Sequence, residues 1–330
     1  MRVLLTLLSV LLLTQCSSDG RKEELAQLKE WMAPNGKSKV LATTSMIGDI
    51  VKTIGGNEID SWVLIRNGLD PHSYQLVKGD DEKLTSAQVI FSNGLGLEHH
   101  PSIAHLLEEH PHTVSLGDVS MRENPEWLVH VDETPDPHIW MDMSIWQKTV
   151  PLIVDALSQT APQHAKLFQE RGKALEQKIA ESHVQIRKMI QEIPENDRYL
   201  VSSHDAFNYF GRAYMAKPDE KDNDLWMKRI AAPEGLSPES QLSPTHIQSI
   251  LDYLKLNNIS VIFPETNVSK DSLRKIVQAG TEMGLNVHCS TDPLYSDAIG
   301  EPGSDGETYL KMIWHNAQTI QKNLTKSKGL

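Results

Sequence analysis

The sequence predicts an α/β protein of two lobes with mainly parallel sheets, joined by one long backbone helix. Three observations lead there. Short apolar, β-branched runs alternate with amphipathic stretches across residues 38–161, and the same alternation resumes across 194–330. Between them, in residues 162–193, Phe168, Leu175, Ile179, Ile186 and Ile190 recur at spacings of seven and four, one apolar stripe on a charged rod. A chain of 330 residues also exceeds what one hydrophobic core usually serves.

The N-terminus precedes that pattern. Met1-Arg2 is a positive start, and Val3 through Leu13 is apolar except for Thr6 and Ser9. Such a run is too short to span a bilayer and matches the core of a secretory signal, so residues 1–15 are expected to be a signal peptide. The segment Leu13-Thr14-Gln15-Cys16 resembles a bacterial lipoprotein signal, whose cysteine becomes the lipidated first residue; Gln15 stands where that pattern usually has a small residue. An ordinary cleaved signal with Cys16 lost is the alternative. Either way the chain is expected at the periplasmic or extracytoplasmic face. Residues 16–37 read as a tether, helical at most through Glu23 to Met32.

In the first lobe, Lys39–Thr44 reads as a strand, with Ser45 capping a helix Met46–Ile54 that ends at Gly55-Gly56. Ile59–Ile65 is a second strand. A helix near Asp80–Ala87, a strand Val89–Ser92, a helix around Pro101–Glu109 and a strand Thr113–Leu116 follow. Met143–Leu157 reads as one helix. The rod comes next: about thirty residues at ~1.5 Å each reach roughly 45 Å, enough to lie across both lobes. A coiled-coil partner is the alternative use of its stripe. In the second lobe Arg198–Ser203 is a strand, and Asp205–Tyr214 a helix burying Phe207, Phe210 and Tyr214. Residues 216–243 read as irregular. Helices Pro244–Leu256, Asp271–Met283 and Glu307–Asn323 and strands Ile259–Phe263 and Leu285–Cys289 complete it. No internal repeat is visible.

One tripeptide occurs twice, as Asp70-Pro71-His72 and Asp136-Pro137-His138. Proline fixes its own φ and pushes the residue before it toward extended geometry, so each histidine is presented from a stiff turn. Two stiff imidazole-bearing loops are what a preorganised metal site needs. His204 also stands at a strand-to-helix junction, and His72 follows a strand, where α/β lobes concentrate function. His99, His100, His105, His110 and His112 do not share one helical face and read as surface histidines.

Composition narrows the chemistry. A formal charge of −12 argues against a nucleic-acid partner, which needs clustered Lys and Arg. The two cysteines, Cys16 and Cys289, exclude a disulfide framework and a zinc–thiolate site, so metal ligands must be His, Asp or Glu. Cys289 reads as a buried structural thiol.

Further stretches carry a family likeness. Asn67-Gly68-Leu69-Asp70-Pro71-His72-Ser73-Tyr74, Asn93-Gly94-Leu95-Gly96-Leu97-Glu98, Asp136-Pro137-His138-Ile139-Trp140, residues 202–214, Glu234-Gly235-Leu236-Ser237-Pro238-Glu239 and Asp297-Ala298-Ile299-Gly300 occur in order, with Gly306, Tyr309, Met312 and Asn316 beyond. Across residues 38–325 the chain resembles the cluster A-I solute-binding proteins of metal ABC transporters, the zinc and manganese lipoproteins. That resemblance implies two lobes joined by a long helix, with one metal in the cleft between them. It implies ligands at His72, His138, His204 and Asp297. Asp292 is the rival for the fourth place, while the downstream Gly-Tyr-Met-Asn pattern aligns with Asp297. It also implies an ABC permease in the cytoplasmic membrane as partner, with the chain acting as a monomer anchored through Cys16.

Three imidazoles and a carboxylate suit tetrahedral Zn2+, and a bidentate Asp297 would admit Mn2+ or Fe2+. The long His/Asp-rich loop of many dedicated zinc binders is absent. Asp70 and Asp136 are candidates to orient the histidines, a purely backbone turn role being the other reading. Capture and delivery of a divalent transition metal is therefore the leading expectation, without catalysis. The alternatives are a mononuclear zinc hydrolase, which would keep a position open for water, and a surface adhesin lipoprotein, which would leave the histidines unexplained. No H-E-x-x-H or serine-nucleophile motif accompanies the histidines.

Overall fold

The computed structural model describes residues 26–238 and 242–326. The expected signal peptide, Cys16 and Glu239 lie outside the described residues.

In the first lobe, Ser38–Ala42 (β1), Ile59–Val63 (β2), Val89–Ser92 (β3) and Thr113–Ser115 (β4) form a parallel sheet in the order β2-β1-β3-β4. A small antiparallel hairpin, His130–Val131 (β5) with Thr134–Pro135 (β6), runs into Asp136. In the second lobe Leu200–Val201 (β7) pairs in parallel with Ile230–Ala231 (β8), and Val261–Ile262 (β9) with His288–Cys289 (β10). A backbone hydrogen bond from Phe263 N to Val201 O (2.8 Å) lays β9 beside β7. The resulting order, β8-β7-β9-β10, repeats that of the first lobe. This duplication escaped the sequence reading because strand order follows burial pattern and crossover geometry, which different side chains satisfy equally well.

The rod is the helix Ala165–Gln191, 27 residues and so about 40 Å long. All five stripe residues are buried in a core that runs without interruption from Val40 and Phe91 in the first lobe to Phe207, Phe263 and Tyr309 in the second. Burying five such side chains contributes roughly 10 kcal/mol. The stripe faces helices of the same chain, Thr149–Thr160 and Tyr309–Lys326, so no coiled-coil partner is needed. Close approach there needs Gly172, since a Cβ at that position would stand 2.5 Å from Val154 Cγ2.

Several elements depart from expectation. Residues 26–32 are helical and Trp31 is buried against Leu41, Leu64 and Ile90, so this stretch packs on the lobe instead of tethering it. Ser45 does not cap its helix; its hydroxyl accepts the N–H of Ile299 from the other lobe (3.0 Å). Leu116–Glu123 is a helix, and the expected Met143–Leu157 helix breaks into Met143–Trp146 and Thr149–Thr160. The expected Asp205–Tyr214 helix is a short α-turn, Asn208–Phe210, followed by a π-turn, Gly211–Met215; its Phe207, Phe210 and Tyr214 are buried as expected. Cys289 is only half-buried. Among the described residues no helix is long and apolar enough to cross a membrane.

Candidate metal centre

Both Asp-Pro-His segments fold as the same local turn. Asp70 Oδ1 accepts the backbone N–H of His72, and Asp136 Oδ1 that of His138, each at 2.9 Å. A short acid side chain closing a turn on the N–H two residues on is an Asx turn, and the intervening proline stiffens it. His204 follows β7 directly. Asp297 lies on the long loop after β10.

These four side chains, from both lobes, converge. One ligating atom from each of His72, His138, His204 and Asp297 lies within 4.8 Å of every other, and all four residues are buried. His72 Nε2 is 3.2 Å from His138 Nε2, His138 Nε2 is 3.5 Å from Asp297 Oδ1, and His204 Nε2 is 3.2 Å from Asp297 Oδ2. Donors at ~2.0–2.1 Å around a tetrahedral ion stand about 3.3 Å apart, so these spacings suit a single ion. Asp292, the rival, is at the surface in an ion pair with Lys322 Nζ (2.8 Å).

Buried carboxylates fix two of the rings. His138 Nδ1–H donates to Asp136 Oδ1 (2.7 Å) and His204 Nδ1–H to Glu265 Oε2 (2.5 Å), so that Nε2 is the ring atom each turns inward. Asp136 thus both closes its turn and orients its histidine, whereas Asp70 closes its turn and accepts from Ser73 Oγ. Glu265, fully buried, also accepts the N–H groups of Ser203 (2.7 Å) and His204 (3.0 Å). Asn267 Nδ2–H donates to Asp297 Oδ2 (2.9 Å). Sequence reading missed Glu265 and Asn267, although Pro264-Glu265-Thr266-Asn267 follows a strand at its carboxyl end, where such groups collect.

Two polar atoms at the centre are stranded. His204 Nε2 and Asp297 Oδ1 are buried without a hydrogen bond among the described residues; the 3.2 Å approach of His204 to Asp297 lacks hydrogen-bonding alignment. Native interiors rarely leave such atoms unpaired unless a ligand or ion belongs there. Burial pushes the His72 imidazole down to about 3, so this ring stays neutral, with one nitrogen protonated and the other carrying a lone pair. Burial also opposes charge on His204, but the Glu265 and Asp297 carboxylates outweigh it and hold this imidazole well above the usual histidine range. Asp297 is buried too, yet His204, His138 and His72 around it keep its carboxyl well below the usual range.

None of the five clustered histidines belongs to the group of four converging donors. His100 Nδ1 lies 2.8 Å from Ser102 Oγ at a helix start, exposed His105 pairs with Glu109 (3.4 Å), and His110 Nε2 lies 3.1 Å from Ala87 O.

Two α/β lobes that bring four ligating atoms into one buried cleft define a metal-binding receptor. The chain belongs to the family described as zinc-uptake complex component A, periplasmic, which it matches over residues 40–323. It is 39% identical over 292 residues to the metal-binding protein YtgA of Chlamydia pneumoniae, covering 88% of this chain and 86% of that protein. It is 32% identical over 313 residues to the manganese-binding lipoprotein MntA of Bacillus subtilis, covering 94% and 95%. The crystal structure of Fe(III)-bound YtgA from Chlamydia trachomatis matches with a TM-score of 0.82 at 37% identity, over 87% of this chain and 98% of that one.

Proposed function

We propose that the chain captures one transition-metal ion outside the cytoplasmic membrane, through His72, His138, His204 and Asp297, and delivers it to an ABC permease. The convergence of four donors from both lobes, two of them stranded without a partner, carries this reading. Four protein ligands leave no vacant position for an activated water, which disfavours a zinc hydrolase. An adhesin would not need them.

Zn2+ suits three imidazoles and a carboxylate. Both Asp297 oxygens face the donors, at 3.5 Å from His138 and 3.2 Å from His204, so bidentate ligation and a fifth bond are within reach and Mn2+ or iron is accommodated. The relatives named for manganese and Fe(III) support that breadth. Lipid attachment at Cys16, after removal of residues 1–15, would hold the protein, as a monomer, at the membrane face; the lipoprotein relative supports the attachment. Residues 38–161 and 194–330 act as the two lobes and 162–193 as their strut.

The test is thermal unfolding of metal-stripped protein with Zn2+, Mn2+ and Fe2+, against His204→Ala. Ligand at ~1,000 times its Kd stabilises the folded state by about 4 kcal/mol. Absence of any shift with every metal defeats the proposal.

A further inference from the structure

The three inner imidazoles are not held alike. His138 and His204 are each tied through Nδ1 to a buried carboxylate, but among the described residues the His72 ring has no carboxylate partner. Asp70 holds the His72 backbone N–H and not its ring. Among the described residues it is the inner ring that no carboxylate ties down, its Nε2 meeting His138 Nε2 at 3.2 Å.

Outside it stands His99. This residue is exposed, and its ring centroid is 6.4 Å from that of His72. The inner rings stand 5.2, 5.3 and 6.0 Å from one another. Two imidazoles sharing one ion at ~2.1 Å hold their centroids roughly 5.2 Å apart at a tetrahedral angle and about 6.4 Å apart when opposed. The 6.4 Å between His99 and His72 is the spacing of two imidazoles on opposite sides of one ion, an arrangement reached by turning the rings on their side-chain torsions.

The backbone beneath His99 is fixed. The buried Glu98 carboxylate accepts from Asn93 N (2.8 Å), Gly94 N (3.0 Å) and Thr43 Oγ1 (2.5 Å). Asn93 Nδ2–H in turn donates to Pro137 O (3.0 Å), binding this turn to the His138 loop. His99 Nδ1 lies 3.2 Å from Gly96 O; donation there leaves the Nε2 lone pair for a metal. Its neighbour His100 is engaged at Ser102, so only one of the pair is available.

We infer that His99 and His72 form an outer, transient site for the incoming divalent metal ion at the mouth of the cleft. It rests on the metal-capture reading above. His99 replaces the first bound water and His72 the second. As the His72 ring turns inward it carries the ion to His138, His204 and Asp297, and His99 lets go.

Metal-free wild type, His99→Ala and His99→Gln, mixed rapidly with Zn2+ and followed by tryptophan fluorescence, test this; the Trp140 ring lies 5.2 Å from that of His138. Both variants should associate several-fold more slowly and release Zn2+ to a chelator more slowly by the same factor, with Kd unchanged. The slowing should persist at high salt, because a ligand and not a field is lost. Rates equal to wild type overturn the inference, and so does a weakened Kd, which would make His99 part of the final site. Wild type that fails to bind Zn2+, Mn2+ and Fe2+ would instead overturn the metal-capture reading.

Discussion

Glu265 Oε2 lies 2.5 Å from His204 Nδ1, across 61 residues of sequence and two neighbouring strands. The same carboxylate accepts the N–H groups of Ser203 and His204, so it fixes the ring's orientation, its tautomer and its backbone together. Glu265→Gln keeps the shape and removes the charge. Metal affinity is expected to fall roughly 10- to 100-fold, read by competition against a chromophoric chelator. Wild-type affinity in this variant would show that orientation alone suffices.

Binding should also expel a proton. In the metal-free centre Glu265 and Asp297 outweigh burial and favour the charged form of His204, whereas burial keeps His72 neutral. An ion can bind His204 Nε2 only after that proton leaves. Apparent affinity should therefore rise with pH across the neutral range, by about tenfold per unit while one proton is exchanged. Calorimetry in two buffers of different ionisation enthalpy should count close to one proton released per ion. A count of zero rules out a protonated His204.

The same groups set the acid stability of the metal-free protein. His72 titrates at about 3 when folded and at 6.5 when free, so below 6.5 the unfolded chain takes up a proton that the folded one refuses. Stability contributed by this buried neutral ring is present above 6.5 and is lost as pH falls toward 3, by at most about 1.4 kcal/mol per unit. His204 has the opposite sign: its contribution is full below 6.5 and fades as pH rises through its raised folded value. His72→Gln should flatten the acid limb of stability measured by urea unfolding in the presence of chelator. An acid limb as steep as wild type would place its origin elsewhere.

What could be read in the sequence follows from range. The Asp-Pro-His turns close over two residues, so their rigidity is written locally, and the rod's stripe is a local periodicity; both hold in the structure. His204 stood out at a strand end and Asp297 came from family likeness, and the structure brings both to the other two. For Glu265 the sequence offers only its place after a strand; its partner is set once Phe263 N meets Val201 O and lays β9 beside β7. Ser45 shows the reverse failure. Local pattern favours a helix cap, but the approach of Ile299 from the second lobe offers its hydroxyl a different partner.

The Asp297 loop, although part of the second lobe's chain, is laced to the first. Trp140 Nε1–H donates to Ser296 O (2.8 Å), Asn67 Nδ2–H to Gly300 O (3.1 Å), and Tyr309 N–H to Asp49 Oδ2 (2.9 Å). Tyr309 O–H donates to Trp140 O (2.8 Å) in the same buried layer. Removing either side-chain donor strands a buried carbonyl, at a cost of about 1–3 kcal/mol. The two differ in what they release. Trp140→Phe frees Ser296, one residue from the ligand, so it should weaken metal binding as well as stability. Tyr309→Phe frees only the Trp140 carbonyl, whose indole stays packed, so it should lower stability and leave metal affinity as it was. Denaturant unfolding with chelator present separates the stability terms, and metal titration of both variants separates the affinities. Equal affinities in the two variants would show that the Trp140–Ser296 bond braces the fold without steering Asp297.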